Sequence, residues 1–364
     1  MTSLAESLEG NEVKGLKTGR TWKVLNKISS RPDRSNASFS VGYRVEAHDG
    51  RIAFMKATDL SLLTESGNLL DRIYAAMTSH KFERDVLDYC HGSNMDRIVL
   101  AIDYGDAMVE FDGAKDALFF LIFELADDDG RVRVDKTRKF TLAWCLNAMH
   151  EIAVGVQQLH GGNITHNDIK PANFLIFREN NQKLADLGCA TATHITALHD
   201  DRHNAGDDKY AAPELLFALK AEEKVNLCLH EARKAADLYN LGSMLYFMVS
   251  GVMLTPQVVS RMAMEHRPLF HQGGWNGDFS GVEPYWREAF GRVLEELKLS
   301  LLEFIPENVA HIREEILTSI IQLCDPNPVK RGHPLNKIGS QSRYSVNRYV
   351  AAFDRMRKQA ELKK

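Results

Sequence analysis

Residues 166–173 read His-Asn-Asp-Ile-Lys-Pro-Ala-Asn, and residues 186–188 read Asp-Leu-Gly. Asp168 and Asn173 are five positions apart on what reads as a loop between a long helix and a short strand, and Asp186 follows eighteen positions after Asp168. One carboxylate in such a set can orient an attacking hydroxyl, while an amide and a second carboxylate supply the hard oxygen ligands that magnesium takes. The set therefore suits phosphoryl transfer. Singly, a turn aspartate, a capping asparagine and a solvated aspartate are the better readings of these residues. Their order along the chain, and what surrounds them, must decide.

Upstream, residues 139–160 place Leu142, Cys145, Leu146, Met149, Ile152, Ala153, Val156 and Leu159 at helical intervals and stop at Gly161-Gly162. Downstream, residues 174–177 read as a strand, 178–182 as a polar turn, and a short strand follows before Asp186. Two strands joined by such a turn can hold Asn173 and Asp186 together. Farther out, residues 22–28 and 39–45 have strand character, His48-Asp49-Gly50-Arg51 is a hairpin turn, and a third strand over 52–57 carries Lys56. Residues 73–90 are helical, with Phe82, Val86 and Tyr89 on one face and Glu83 near them. Residues 98–102 and 118–123 add two strands, the second running into Glu124-Leu125-Ala126.

In this order the motifs resemble those of the eukaryotic-type serine/threonine protein kinases. The loop at 166–173 is similar to their catalytic loop, and Asp186-Leu187-Gly188 to their metal-binding turn. Tyr210-Ala211-Ala212-Pro213-Glu214 resembles the end of the activation segment. Asp237 resembles the aspartate that bonds the catalytic-loop backbone, and Arg331 the late arginine that partners Glu214. The resemblance implies an α+β, bilobal protein-kinase-like fold: an antiparallel sheet plus one helix in the small lobe, a mainly helical large lobe, and ATP between them. It implies that Lys56 holds the nucleotide phosphates and that Glu83 holds Lys56. The backbone of Glu124 and Ala126 would bond the adenine, with Phe123 behind it. Asn173 and Asp186 would bind Mg2+, and Asp168 would orient the substrate hydroxyl. Lys170 matches the serine/threonine-specific pattern and would stabilise the transferring group. The domain is expected over residues 21–335, divided into lobes at 125/126, after a flexible leader over 1–20. A basic amphipathic helix over 336–364 is expected to cap the large lobe or meet a partner.

Three departures bear on activity. Residues 29–40 read SSRPDRSNASFS, without the glycines that let backbone approach phosphate closely. By itself this favours the alternative reading, a pseudokinase acting as a nucleotide-binding scaffold, although Ser35, Asn36, Ser38 and Ser40 can donate side-chain bonds; the retained Lys56, Asp168, Asn173 and Asp186 favour the leading one, a serine/threonine protein kinase that transfers the γ-phosphoryl of ATP to a protein hydroxyl. Asn167 replaces the arginine that pairs with a phosphorylated activation segment, so activity is expected without phosphorylation of Thr191, Thr193 or Thr196. Leu187 replaces a phenylalanine and keeps an apolar anchor. A small-molecule phosphotransferase is the third reading, disfavoured by Ala212-Pro213-Glu214 with Arg331.

A chain of 364 residues with a formal net charge of -4 has no basic field that points to nucleic acid. Its five cysteines form no CxxC pair and suggest a reducing, cytoplasmic setting, with Cys189 as an inert thiol. The start of the sequence lacks a signal-peptide pattern. The apolar run at 241–254 is shorter than the roughly 20 residues a membrane span needs and reads as a core helix. His194, His199 and His203 with the neighbouring aspartates match no metal-ligand spacing and read as a solvated loop. The aromatic residues Trp275, Phe279, Tyr285, Trp286 and Phe290 read as core. The expected partners are a protein substrate and ATP, with neither membrane nor nucleic acid.

Overall fold

The computed structural model describes residues 4–28, 40–58, 69–111, 114–135, 140–178, 181–200, 204–217, 229–269, 273–338 and 342–362. Strands β1 (Glu12–Lys14), β2 (Thr21–Lys27), β3 (Ser40–Ala47), β4 (Ile52–Thr58), β5 (Ala101–Phe111) and β6 (Ala114–Glu124) form one antiparallel sheet in the order β1-β2-β3-β4-β6-β5. The β3–β4 hairpin turns at Gly50, whose φ of 79° needs a residue without Cβ. Alternation along β4 buries Ala53, Met55 and Ala57 on one face and leaves Phe54 and Lys56 on the other. The first face packs on Trp22, Tyr43 and Phe120, and the second faces helix α1 (Leu69–Gly92) and the inter-lobe cleft.

Residues 4–20 are not a free leader. Leu8 is fully buried, and Val13 of β1 pairs with Trp22. Asp103, itself fully buried, accepts bonds from the main-chain N–H of Lys17 (3.1 Å) and Thr18 (3.3 Å), the Thr18 hydroxyl, and Trp22 Nε1 (3.0 Å). The segment lies so close that a Cβ on Gly15 would meet Asp103 Oδ2 at 1.9 Å. A strand of three residues among glycines carries no periodic signal, and a buried carboxylate holds it instead. The strand expected at 98–102 also shifts: β5 begins at Ala101 and runs to Phe111, while Ile98 bridges Leu184 in the other lobe. Asp103, Asp106 and Glu110 interrupt its apolar residues, and the strand lies at a sheet edge, which is why apolar pattern underestimates it.

The large lobe is built on α2 (Leu142–Gly161) and α4 (Leu229–Ser250). Thr141 caps α2 by accepting from Trp144 N at 3.2 Å. Residues 241–250 of the expected core run lie in α4, which is buried without interruption from Ala235 to Val249; the helix stops at Ser250, Gly251 follows at φ 78°, and Leu254 opens the next helix. Helices α5 (Leu254–Ser260), α6 (Phe279–Phe304) and α7 (His311–Leu323) surround it, after the short α3 (Pro213–Leu216). Among the described residues no single helix is long and apolar enough to cross a membrane. Phe279, Trp286 and Phe290 are core, whereas Tyr285 is exposed and stacks on His266 at 3.6 Å. Helix α8 (Asn347–Leu362) buries Tyr349, Phe353 and Met356 in the large-lobe core against α2. Its apolar stripe is thus covered by its own domain and is not open to a partner.

Candidate active site

Between the lobes lies a cavity of about 620 Å3. Lys56 enters it from β4, and α1 brings Glu83 to meet it, because Phe82 and Val86 on the same helix are buried in the core. Lys56 Nζ is 2.9 and 3.0 Å from the two carboxylate oxygens of Glu83 and 2.8 Å from Asp186 Oδ1. Burial opposes the Lys56 charge, but the carboxylates of Asp186 and Glu83 outweigh it and hold the ammonium above its usual range. The same ammonium holds Asp186 below the ordinary carboxylate range.

The loop after α2 is fixed from below. Asp237, fully buried on α4, accepts from the main-chain N–H groups of His166 and Asn167, both at 2.8 Å, and meets His160 Nε2 at 2.9 Å. Burial works against its charge; the His160 bond and the loop amide outweigh it and keep the carboxyl below its usual range. The His166 ring lies 3.2 Å from Ala185 O, a packing role between the loop and the segment that leads into Asp186. Asp168 is buried beyond it, with Oδ2 2.9 Å from Lys170 Nζ and 3.0 Å from Asn173 Nδ2. Burial pushes the Asp168 carboxyl up, which makes it a better proton acceptor than a free aspartate.

Strands β9 (Phe174–Ile176) and β10 (Gln182–Leu184) pair Phe174 with Leu184, β7 (Asp128–Asp129) pairs with the other edge of β9, and Ala185 N donates to Asn173 O at 2.9 Å. This hairpin delivers Asn173 and Asp186 to one wall of the cavity. Asp186 adopts φ 64°, a left-handed conformation uncommon outside glycine, so the site holds it in a strained backbone. With Asn173 Nδ2 bonded to Asp168, its amide oxygen is the donor suited to a hard cation, next to the partly exposed Asp186 carboxylate. Two protein oxygens fit magnesium, which keeps several waters and takes phosphate oxygens for the rest.

At the back of the cavity, Phe54 and Phe123 approach with ring centroids 6.3 Å apart. Glu124, Leu125 and Ala126 line the same end. The Glu124 carboxylate faces away from a base-binding role: it accepts from Leu100 N at 2.8 Å and from Lys183 Nζ at 2.6 Å. A nucleotide would therefore meet the backbone there. Beyond Asp186, Asn167 donates its Nδ2 to Cys189 O and to Thr191 Oγ1, both at 2.9 Å, tying the activation segment to the catalytic loop without a phosphate. Short strands β8 (Ile164–Thr165) and β11 (Thr191–Ala192) pair alongside. At the segment's far end, Arg331 grips the Glu214 carboxylate with two bonds of 2.7 and 2.8 Å.

A two-lobed α+β fold with a lysine held by a glutamate, above a loop bearing Asp168 and Asn173, defines a protein-kinase-like architecture. Comparison with protein-family models matches residues 78–331 to the protein kinase domain, and the chain belongs to that family. Among curated relatives, it is 42% identical over 98 residues to the serine/threonine-protein kinase mph1 of Schizosaccharomyces pombe, covering 26% of this chain and 14% of that protein. It is 27% identical over 183 residues to the cell division control protein 2 homolog 3 of Trypanosoma brucei brucei, covering 47% of this chain and 55% of that protein. To the serine/threonine-protein kinase PknA of Mycobacterium tuberculosis it is 28% identical over 150 residues, covering 41% of this chain and 32% of that protein. The matched part is thus between about a seventh and a little over half of each relative's length.

The structure brings Lys56, Glu83, Asp168, Lys170, Asn173 and Asp186 to one cleft. The glycine-free loop, including Ser35, Asn36 and Ser38, lies outside the described residues, while Ser40 lines the cavity. Sequence reasoning missed Asp207, whose N–H donates to Asp168 Oδ1 at 3.0 Å. It also missed Lys183 as the partner of Glu124 and Asp103 as the anchor of the first strand. Asp207 stands in a run of polar loop residues with no periodicity, so only its distance from Ala212-Pro213-Glu214 could have singled it out. Among the described residues no cluster of three or more His, Cys, Asp or Glu could hold a metal; His203 and Asp201 lie outside the described residues.

Proposed function

We propose that the protein transfers the γ-phosphoryl group of ATP to a serine or threonine hydroxyl of a protein substrate, with magnesium. The observation that carries this is the Lys56 ammonium, held by Glu83 and Asp186 in the same cleft as the buried Asp168–Lys170 pair. Phosphoryl transfer needs positioning and charge neutralisation more than covalent chemistry. Lys56, fixed by Glu83, presents its charge to the nucleotide phosphates. Magnesium, held by the Asn173 amide oxygen and Asp186, would neutralise charge on the phosphate oxygens. Asp168 orients the acceptor hydroxyl and takes its proton late in the reaction. Lys170, 2.9 Å from Asp168, offers a second positive charge where the transferring group passes. The four described cysteines are free and three of them are buried, which fits a reducing, cytoplasmic setting.

The test is transfer of label from γ-labelled ATP with magnesium to the protein itself and to a generic basic protein. Transfer by the wild type, abolished in both Asp168→Ala and Asp186→Ala, is the expected result. A wild type that is thermally stabilised by ATP yet transfers nothing would overturn it in favour of a nucleotide-binding scaffold.

A further inference from the structure

The turn that joins β1 to β2 does more than reverse the chain. Strands β1 and β5 are the two edges of the small-lobe sheet, and residues 15–18 tie one edge to the other. Leu16 N donates to Tyr104 O at 2.8 Å, and the main-chain N–H groups of Lys17 and Thr18 reach the buried Asp103 carboxylate, both partners lying on β5. Lys17 Nζ goes on to Asp88 Oδ1 of α1 at 2.6 Å and to Ala101 O at 3.4 Å. The turn stands upstream of residues 78–331, outside the part of the chain that matches the family.

Thr18 stands at the tip of this turn. Residues 16–20 are exposed, Gly19 sits at φ 70°, and Lys14, Lys17 and Arg20 surround Thr18, the hydroxyl residue among them. A turn role accounts for the bond that Thr18 Oγ1 accepts from Arg20 N at 3.2 Å. It does not account for the hydroxyl proton, which is given to Asp103, a fully buried carboxylate that also takes Trp22 Nε1 at 3.0 Å. A phosphate on Thr18 removes that donor and sets a second anion against a carboxylate that burial keeps from water. Like charges so placed repel strongly, so the closed turn and a phosphorylated Thr18 exclude each other. When the turn opens, the same residue becomes an acceptor in a short basic segment that Gly15 and Gly19 leave free to rotate. The inter-lobe cleft offers the matching charge: Asp127, Asp128 and Asp129 line it alongside Lys170, and the Asp127 side chain is 49% exposed.

We propose that Thr18 is a phosphorylation site: a second copy of this chain phosphorylates it when the turn opens, and the phosphate then holds the turn open. This rests on the kinase reading above. Thr18 Oγ1 bonds to the γ-phosphorus of ATP, the bond from that phosphorus to the bridging oxygen breaks, ADP leaves, and the hydroxyl proton passes to Asp168 of the second copy. With the turn held open, Leu16 lets go of Tyr104, and Lys17 lets go of Asp88. The two edges of the sheet are no longer tied, and α1, which carries Glu83, loses its bond to the turn.

The experiment has two arms on the full chain. In the first, wild type is incubated with ATP and magnesium at several protein concentrations, and the sites that gain phosphate are mapped by mass spectrometry. Phosphate on Thr18, gained faster per molecule as the protein concentration rises, is the expected result. In the second, brief trypsin digestion at Lys14, Lys17 and Arg20 reads how often the turn is open in wild type, Thr18→Val and Thr18→Glu. Thr18→Val loses the bond alone, whereas Thr18→Glu adds the charge, so it should be cut at least about tenfold faster than Thr18→Val. Phosphate at other residues but not at Thr18, or a rate per molecule independent of concentration, would overturn the proposal. So would a Thr18→Glu turn cut no faster than that of Thr18→Val. A wild type that places phosphate on nothing, itself or a generic basic protein, would remove the kinase reading and this phosphate donor with it, while the digestion would still report whether negative charge at residue 18 opens the turn.

Discussion

Replacing Arg331 with methionine tests how the end of the activation segment is held. The guanidinium is fully buried and donates twice to Glu214, at 2.7 and 2.8 Å, and also to Ala235 O at 2.8 Å and Asp325 O at 3.0 Å. Methionine fills much of the volume but leaves the buried Glu214 carboxylate without its cation. Breaking one side of a buried pair costs about 3–5 kcal/mol. Coulomb attraction near 4 Å at an effective dielectric of about 20 gives a similar figure, roughly 4 kcal/mol. Unfolding entropy of about 2.1 cal/mol/K per residue, taken over 364 residues, is near 0.8 kcal/mol/K, so the melting temperature should fall by about 4–7 °C. Circular dichroism melts and urea titrations at pH 7 measure this directly. Adding Glu214→Gln removes the stranded charge and should restore at least half of the loss. A single variant within about 1 kcal/mol of wild type, or a double variant no better than the single, would refute the reasoning.

Further outcomes are expected. Asp103→Ala strips a buried acceptor from Trp22 Nε1 and two backbone amides, and should cost at least about 3 kcal/mol in urea unfolding, given about 1.5–3 kcal/mol for a bond to a charged group. Removal of residues 1–19 should destabilise the small lobe comparably, with Trp22 fluorescence shifting to the red. Burial, aided by Arg84 and Lys56, lowers His80 to about 4, so the unfolded chain takes up its proton first as pH falls. Stability should therefore decline between about pH 6.5 and 4 with a slope of up to about 1.4 kcal/mol per unit from this group, and His80→Phe should remove that component. Asn167→Ala loses the bonds to Cys189 O and Thr191 Oγ1 and should reduce label transfer about tenfold, whereas phosphatase treatment of the wild type should change nothing.

The parts of the site legible in the sequence are those whose chemistry sits in short motifs. Asp168, Asn173 and Asp186 are brought together by a hairpin whose turn is visible in the residues, and Lys56 by strand alternation. Contacts joining distant loops left no such trace. Asp207 reaches Asp168 only because Gly206 omits a side chain, and Asp103 holds the first strand by bonds to backbone, which any sequence carries. The segment over 1–20 reads as flexible in sequence for the same reason: residues 17 and 18 are held by a carboxylate more than eighty residues away. The apolar stripe of α8 was visible, but which surface it meets depends on the exposed face of α2, and periodicity does not report pairing between helices.

That pairing has a cost in time. The His150 ring meets Val350 O across 200 residues of chain, and Gln157 on the same helix meets Asn347. During synthesis α2 leaves the ribosome long before the helix that covers it, so its apolar stripe waits while α4, α6 and α7 are made. Contacts of such separation slow folding and leave sticky surface open to other chains. The small-lobe sheet, complete once β6 has emerged, can close first. The catalytic loop hangs from the end of α2, so the helix that positions it is itself covered only by a segment made about 200 residues later.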